Sequence, residues 1–262
     1  MCDGLDLQGY LRRIGFQGEA RPDLATLRAL HLAHATTIPF ENLDVQMGLP
    51  IRIDLASLQD KLVRRRRGGY CFEQNTLFLA ALRALGFEVL PCEARVRYGT
   101  LEVLPRTHML LLVRLAGLHW LADVGFGGEG LLHPVPLDGL AHAQFQSTYR
   151  VVDEGGLRVL QSLRLGTWED LYAFLPEERF AVDYEMANHY TSTHPESRFV
   201  RTLTAQLPGP DVRRILRNRA YAEIRGDAVE GRELAPDEVI PTLRGVFGLD
   251  VPEGARFRAF EG

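Results

Sequence analysis

The spacing of apolar residues changes character once along this chain, at about Gly86-Phe87, and that change divides it into a helix-forming part and a sheet-forming part. Over residues 6–86 the apolar positions recur at intervals of three and four. Leu24, Leu27, Leu30 and His31 share one predicted helical face, with Pro22 in the first turn, and Leu55, Leu58 and Leu62 form another behind Asp54 as N-cap. A third helix begins near Cys71, after Gly68-Gly69, whose access to positive φ permits a sharp entry. It runs through Leu77, Phe78, Ala81, Leu82 and Leu85 to a stop at Gly86. Beyond it come short β-rich runs at 89–98, 107–115, 119–126 and 149–152, separated by Gly and Pro turns, which suit an antiparallel sheet or barrel. After about Tyr190 the patterns mix, with strand-like 199–207, alternating 220–224 and helix-like 237–247. The expectation is an α+β fold: a helical domain over 1–87, a β-barrel-like domain over 88–190 and a small α/β domain over 191–262.

Composition removes several classes of function. With 46% hydrophobic and 24% charged residues the chain can bury a core, and no apolar run approaches the roughly 20 residues that cross a bilayer. The start of the chain carries Asp3 and Asp6 rather than a basic segment, so neither secretion nor membrane anchoring is expected. Cys2, Cys71 and Cys92 make no disulfide framework, which fits a reducing, cytoplasmic setting. Neither a CxxC pair nor a histidine cluster offers a metal site, and a net charge of −4 provides no field for nucleic acid. The run Arg64 to Arg67 is a local exception. It reads first as cations at a helix C-terminus and second as an attraction for a phosphate-bearing cosubstrate.

Cys71 stands out because the first turn of a helix favours negative charge on a thiol, whereas Cys92 reads as a small buried apolar residue. A hairpin supplies it with partners. If Ala116-Gly117 is a two-residue turn, Leu115 faces Leu118 and His108 faces Gly125, which makes His108 and Asp123 diagonal neighbours on one sheet face. A three-residue turn would send them to opposite faces. In the first register Asp123 holds the imidazole and His108 takes the proton of Cys71, a Cys-His-Asp triad. Spacing alone leaves the reaction open among thiol peptidases, transglutaminases and thioester-dependent acyltransferases.

The sequence words narrow this choice. Arg67-Gly68-Gly69-Tyr70-Cys71-Phe72-Glu73-Gln74-Asn75 closely resembles the nucleophile motif of the arylamine N-acetyltransferases. Ile38-Pro39-Phe40-Glu41-Asn42-Leu43, His108 on its apolar strand, Asp123-Val124-Gly125-Phe126-Gly127 and the stretch NHYTSTHPESRF over 188–199 follow in that family's order. The likeness spans 38–199, the chain length suits bacterial members, and the segment after Phe199 is less recognisable.

The resemblance implies a helical N-terminal domain, a β-barrel-like second domain and a small α/β lid around a cysteine-protease-like core. It also implies acetyl-CoA as cosubstrate without a metal, aromatic amines or hydrazines as acceptors, and ping-pong transfer through an acetylated Cys71 with His108 and Asp123 as its partners. Phe40, Val96 and Phe126 match acceptor-pocket positions, Gly127 and Gly128 (with Gly125) a path for the pantetheine arm, and Thr193 a residue near the CoA nucleotide. Glu41, Asn42, Arg67 and Asn75 match positions read as polar groups that fix the loops around the triad. An amide synthase with another acyl donor, a thiol hydrolase or transglutaminase, and a noncatalytic binding protein are the competing readings. Oligomeric state and physiological acceptor are not legible in the sequence.

Overall fold

In the computed structural model, which describes residues 4–100 and 102–260, the N-terminal part is helical and aspartates start its first elements. Asp6 accepts the Gly9 N–H at 2.7 Å ahead of α1 (Leu7–Ile14), and Asp23 accepts the Thr26 N–H at 2.8 Å ahead of α2 (Leu24–Thr37). With Asp23 as the cap, Pro22 lies outside the first turn where the sequence reading placed it. Asp54 caps α4 (Leu55–Leu58) as expected, through Ser57 at 2.9 Å, and α4 continues as a π-helical segment, Gln59–Arg64. The short elements β1 (Phe40–Glu41) and α3 (Leu43–Gln46) lie between α2 and α4.

The helix α5 (Cys71–Ala84) begins at Cys71 and ends before Gly86, which takes φ +87°. Gly68 and Gly69 do not use positive φ, contrary to expectation. Their requirement is space: a Cβ on Gly68 would overlap the Pro39 carbonyl oxygen, and one on Gly69 would sit 2.7 Å from Glu73 Oε2.

Eight antiparallel strands follow: β2 (Glu88–Val96), β3 (Arg106–Leu115), β4 (Leu118–Ala122), β5 (Val135–Pro136), β6 (His142–Gln144), β7 (Ser147–Glu154), β8 (Leu157–Arg164) and β9 (Thr167–Phe174). Their order is β5-β4-β3-β2-β9-β8-β7-β6, and β5 approaches β7, so the sheet curls into a nearly closed barrel-like form. The turn between β3 and β4 has two residues, Ala116 (φ 50°) and Gly117 (φ 79°), and sets Leu115 opposite Leu118. Strand β4 stops at Ala122, short of the expected 126, because the Asp123 carboxylate turns the chain by accepting the Gly125 N–H at 2.9 Å. The sequence reading missed β5, β6, β8 and β9: the first two have only two and three residues, and a register shift at Leu160/Gln161 interrupts the pairing of β8 with β9.

Strand β3 is buried on both faces, which explains its continuous apolar run. Met109, Leu111 and Val113 pack with the helices, while Leu110 and Leu112 enter the barrel core beside Leu121, Tyr149 and Leu171. Helix α6 (Ala181–Thr193) spans the 190/191 division and sends Tyr184 into the helical core. A turn, α7 (Arg198–Arg201), occupies part of the expected 199–207 strand, since the Ser197 hydroxyl caps it. The remaining strands are β10 (Thr204–Leu207), β11 (Arg213–Arg217), β12 (Ala220–Arg225) and β13 (Ala228–Glu233), before a 3-10 turn (Pro236–Glu238) and α8 (Val239–Gly245). They form the sheet β1-β10-β11-β12-β13, in which Phe40 lies opposite Gln206. The N-terminal segment is thereby stitched to the C-terminal sheet. Among the described residues no helix is long and apolar enough to cross a membrane.

Candidate active site

Cys71 is the first residue of α5 and is 3% exposed, with its Sγ 3.6 Å from the Thr107 carbonyl oxygen at the start of β3. The loop after β4 closes on it from the other side. A Cβ on Gly125 would stand 2.8 Å from Cys71 Cα, so only glycine permits that approach.

One residue beyond Thr107, His108 points to the barrel face and places Nε2 2.7 Å from Asp123 Oδ2, the pairing that the two-residue turn predicts. Its ring lies 5.2 Å from that of Phe126 and 4.8 Å from that of Tyr172. Burial works against a charged imidazole here, yet the Asp123 charge, the Asp123 hydrogen bond and then the Cys71 side chain override it and raise the pKa to about 10.

Asp123 is buried and accepts four hydrogen bonds. Oδ2 takes His108 Nε2 and, at 2.9 Å, the Tyr172 hydroxyl; Oδ1 takes Asn75 Nδ2 and the Gly125 N–H, both at 2.9 Å. Burial raises its pKa, but the His108 charge and the His108, Asn75 and Gly125 hydrogen bonds hold it below the usual carboxylate value. Its backbone N–H donates to His31 Nε2 at 3.1 Å, and burial lowers the His31 pKa to about 4, which keeps that ring a neutral acceptor. Neither Tyr172 nor His31 was found by sequence reasoning. His31 is 92 residues away on α2, and Tyr172 arrives through the pairing of β9 with β2, where it faces Val96.

A buried polar frame supports the start of α5. Gln74 donates to the Pro39 and Gly69 carbonyls at 3.1 and 2.9 Å, and its oxygen accepts His34 Nε2 at 3.1 Å; the other His34 nitrogen accepts the Tyr10 hydroxyl at 2.9 Å. Lys61 bridges Asp44 (2.6 Å) and Glu73 (2.7 Å), and Arg67 bridges Glu41 (2.9 Å) and Asp44 (3.0 Å). Arg67 is therefore internal, while Arg64, Arg65 and Arg66 are exposed as a helix end should be. Glu73 Oε2 accepts the Tyr70 N–H at 3.1 Å; its carboxyl is raised to about 7, chiefly by burial, with Lys61 opposing. Asn42 ties the Phe199 and Thr202 carbonyls to α3, at 2.7 and 2.8 Å, and the Tyr70 hydroxyl donates to Asn188.

Cys71 and His108 open into a cavity of about 230 Å³, and Phe40, Val96 and Phe126 all line it. Gly127 and Gly128 lie behind this wall. The Gly128 N–H donates to the Gln206 side chain, and Arg213 donates to the Gly128 carbonyl. Thr193 is exposed, gives its hydroxyl to the His189 carbonyl at 2.6 Å and does not line the cavity. No cluster of three or more His, Cys, Asp or Glu side chains that could hold a metal occurs among the described residues.

Known proteins share this architecture over nearly the whole chain. The N-acetyltransferase family model matches residues 23–256. Arylamine N-acetyltransferase of Mycolicibacterium smegmatis is 40% identical over 255 residues, covering 94% of this chain and 93% of its own, and that of Escherichia coli is 42% identical over 253 residues, covering 94% and 90%. The solved enzyme of M. tuberculosis superimposes with a TM-score of 0.91 at 40% identity over 94% of both chains. That of Mycobacterium marinum in complex with CoA gives 0.89 at 38% over 93% of both. By sequence and by fold, the chain belongs to the arylamine N-acetyltransferase family.

Proposed function

We propose that this protein transfers an acetyl group from acetyl-CoA to an aromatic amine or hydrazine by a ping-pong mechanism, with Cys71 as nucleophile, His108 as acid-base and Asp123 as its anchor. The observation that carries the reading is the disposition of His108. Asp123 holds one ring nitrogen at 2.7 Å, burial opposes a proton on the ring but the Asp123 charge and then the Cys71 side chain favour one, and Cys71 and His108 line one cavity. Membership of the family supports the donor and acceptor classes.

The chemistry follows from the geometry. His108 takes the Cys71 proton, and the sulfur attacks the thioester carbonyl. Collapse of the tetrahedral intermediate breaks the bond to CoA, whose sulfur leaves with the proton from His108. An amine then attacks the acetyl-Cys71 carbonyl, gives its proton to His108, and displaces the Cys71 sulfur, which recovers that proton. Each step passes through an oxyanion, and unpaired N–H groups in the first turn of α5 are suited to stabilise it. Phe40, Val96 and Phe126 would bind the flat acceptor by ring contact and burial. Gly127 and Gly128 would guide the pantetheine arm and Thr193 would lie near the nucleotide, with residues 191–262 acting as a lid and the enzyme working in the cytoplasm.

The test is intact mass after mixing with acetyl-CoA and no acceptor, then peptide mapping and addition of an arylamine. One acetyl group on Cys71 that the amine discharges is expected, and none on a folded Cys71→Ala variant. A reactive Cys71 that takes no acetyl group would reject acetyl transfer in favour of another acyl donor or a thiol hydrolase.

A further inference from the structure

Two arginines at the mouth of the Cys71 cavity have no role in the chemistry above. Arg198 opens α7, and Arg217 closes β11, opposite Thr204 across the sheet. Both line the cavity that holds Cys71 and His108. Both also line an adjoining depression of about 240 Å³ with Phe199, Thr202 and Thr204, so the pair sits where the two spaces meet.

Both are exposed, and although the Arg198 guanidinium lies 5.6 Å from the Phe199 ring, neither has a carboxylate beside it among the described residues. Nearby arginines are engaged: Arg164 with Glu129 at 3.2 Å, Arg214 with Glu223 at 3.2 Å, and Arg213 with the Gly128 and Gly130 carbonyls. Among the described residues neither Arg198 nor Arg217 has a carboxylate within 4.0 Å or donates a side-chain hydrogen bond. Of the two acids that line the same cavity, Glu129 is held by Arg164, and Glu196 pairs with neither arginine. Phe40, Val96, Phe126 and Phe199 give the same cavity a largely apolar wall. Such a wall receives a ring or an alkyl chain and gives no reason for two cations beside it. A guanidinium offers a planar donor fork that matches carboxylate and phosphate oxygens.

We propose that Arg198 and Arg217 form an anion-recognition site that takes a carboxylate or phosphate group on the molecule whose other end reaches Cys71. That the other end reacts at the thiol rests on the acetyl-transfer reading; the anion site does not. Arg64 to Arg67, the basic run whose second reading was attraction of a phosphate-bearing cosubstrate, do not line the cavity.

Equilibrium binding tests this with two matched pairs of probes, CoA against pantetheine for phosphate and 4-aminobenzoate against 4-aminobenzamide for carboxylate. Binding is measured calorimetrically on the wild type, Arg198→Gln, Arg217→Gln and Arg217→Lys, with each variant's fold checked by thermal melting. Loss of either guanidinium should weaken the anionic member of at least one pair roughly tenfold and leave its neutral member unchanged, and the affected pair identifies the source of the anion. Added salt should weaken that binding in the wild type more than in the variants, and Arg217→Lys should retain part of the affinity. Equal losses for both members of each pair, or no loss for either anion, would overturn the site. Charge-selective binding without acetylation of Cys71 would refute the transfer reading and leave the site standing; acetylation without charge-selective binding would do the reverse.

Discussion

Replacing Asp123 with asparagine keeps the side chain's shape and removes its charge, and the structure says how much should follow. The carboxylate accepts two donors on each oxygen: His108 and Tyr172 on one, Asn75 and the Gly125 N–H on the other. An amide can accept on one side only. In either orientation its NH₂ group faces hydrogen-bond donors, so one or two buried donors lose their acceptor. Each costs about 1–3 kcal/mol, for a total of about 1–6 kcal/mol. For a chain of this size that lowers Tm by roughly 2–20 °C. The second effect is electrostatic. With Asp123 neutral, burial dominates the His108 ring, and its pKa should fall from about 10 to below the ordinary 6.5. A ring of that pKa no longer draws the Cys71 proton at pH 7, so the thiolate and the imidazolium acid both become scarce, and turnover should drop at least about a hundredfold. Thermal melting, NMR titration of the His108 ring and the acetyl-adduct assay read the three consequences separately. A variant that melts like the wild type while its His108 still titrates near 10 would refute the account of Asp123 as the charged anchor.

Other perturbations probe the same frame. Tyr172→Phe removes one of two donors on Asp123 Oδ2, and kcat should fall by roughly threefold to tenfold with KM little changed, in keeping with about 1 kcal/mol for one hydrogen bond; a KM effect alone would place Tyr172 in substrate binding instead. Gly125→Ala puts a methyl group 2.8 Å from Cys71 Cα, and the loop must move, at about 1–3 kcal/mol in a melt and with slower alkylation of Cys71 by iodoacetamide. Unchanged alkylation would show that the loop yields freely. Folding lowers His31 from 6.5 to about 4 and His34 to about 3, so their buried neutral rings favour the fold above pH 6.5 and this contribution is lost as pH falls toward 3. Glu73 runs the other way, since folding raises it from 4.5 to about 7 and its contribution is lost as pH rises between those values. Melting Glu73→Gln and the wild type from pH 4 to 8 should therefore show a smaller loss of Tm toward high pH in the variant; parallel curves would rule Glu73 out as a titrating group.

What the sequence determined by itself was local. An N-cap aspartate, a glycine at a helix end and a two-residue turn act over a few positions, so the start of α4 and the end of α5 at Gly86 could be read by counting, and the register between His108 and Asp123 followed once the turn has two residues. Phe40, Val96 and Phe126 came from the family resemblance, and all three line the cavity. Only the tertiary structure decided the rest. Tyr172 meets Asp123 because β9 pairs with β2, and a sheet order that skips six strands in sequence leaves no trace in a window of residues. His31 reaches the Asp123 backbone across the packing of α2 on the loop after β4. Arg67 reads in the sequence both as the last of four clustered cations and, through the resemblance, as a loop-fixing polar group; Glu41 and Asp44, 26 and 23 residues upstream, draw it inside. Arg198 and Arg217 meet at one opening because α7 and β11 fold to the same edge of the C-terminal sheet. Short-range steric and hydrogen-bonding rules act between neighbours in the chain; burial and charge act between neighbours in space, which only the packed chain defines.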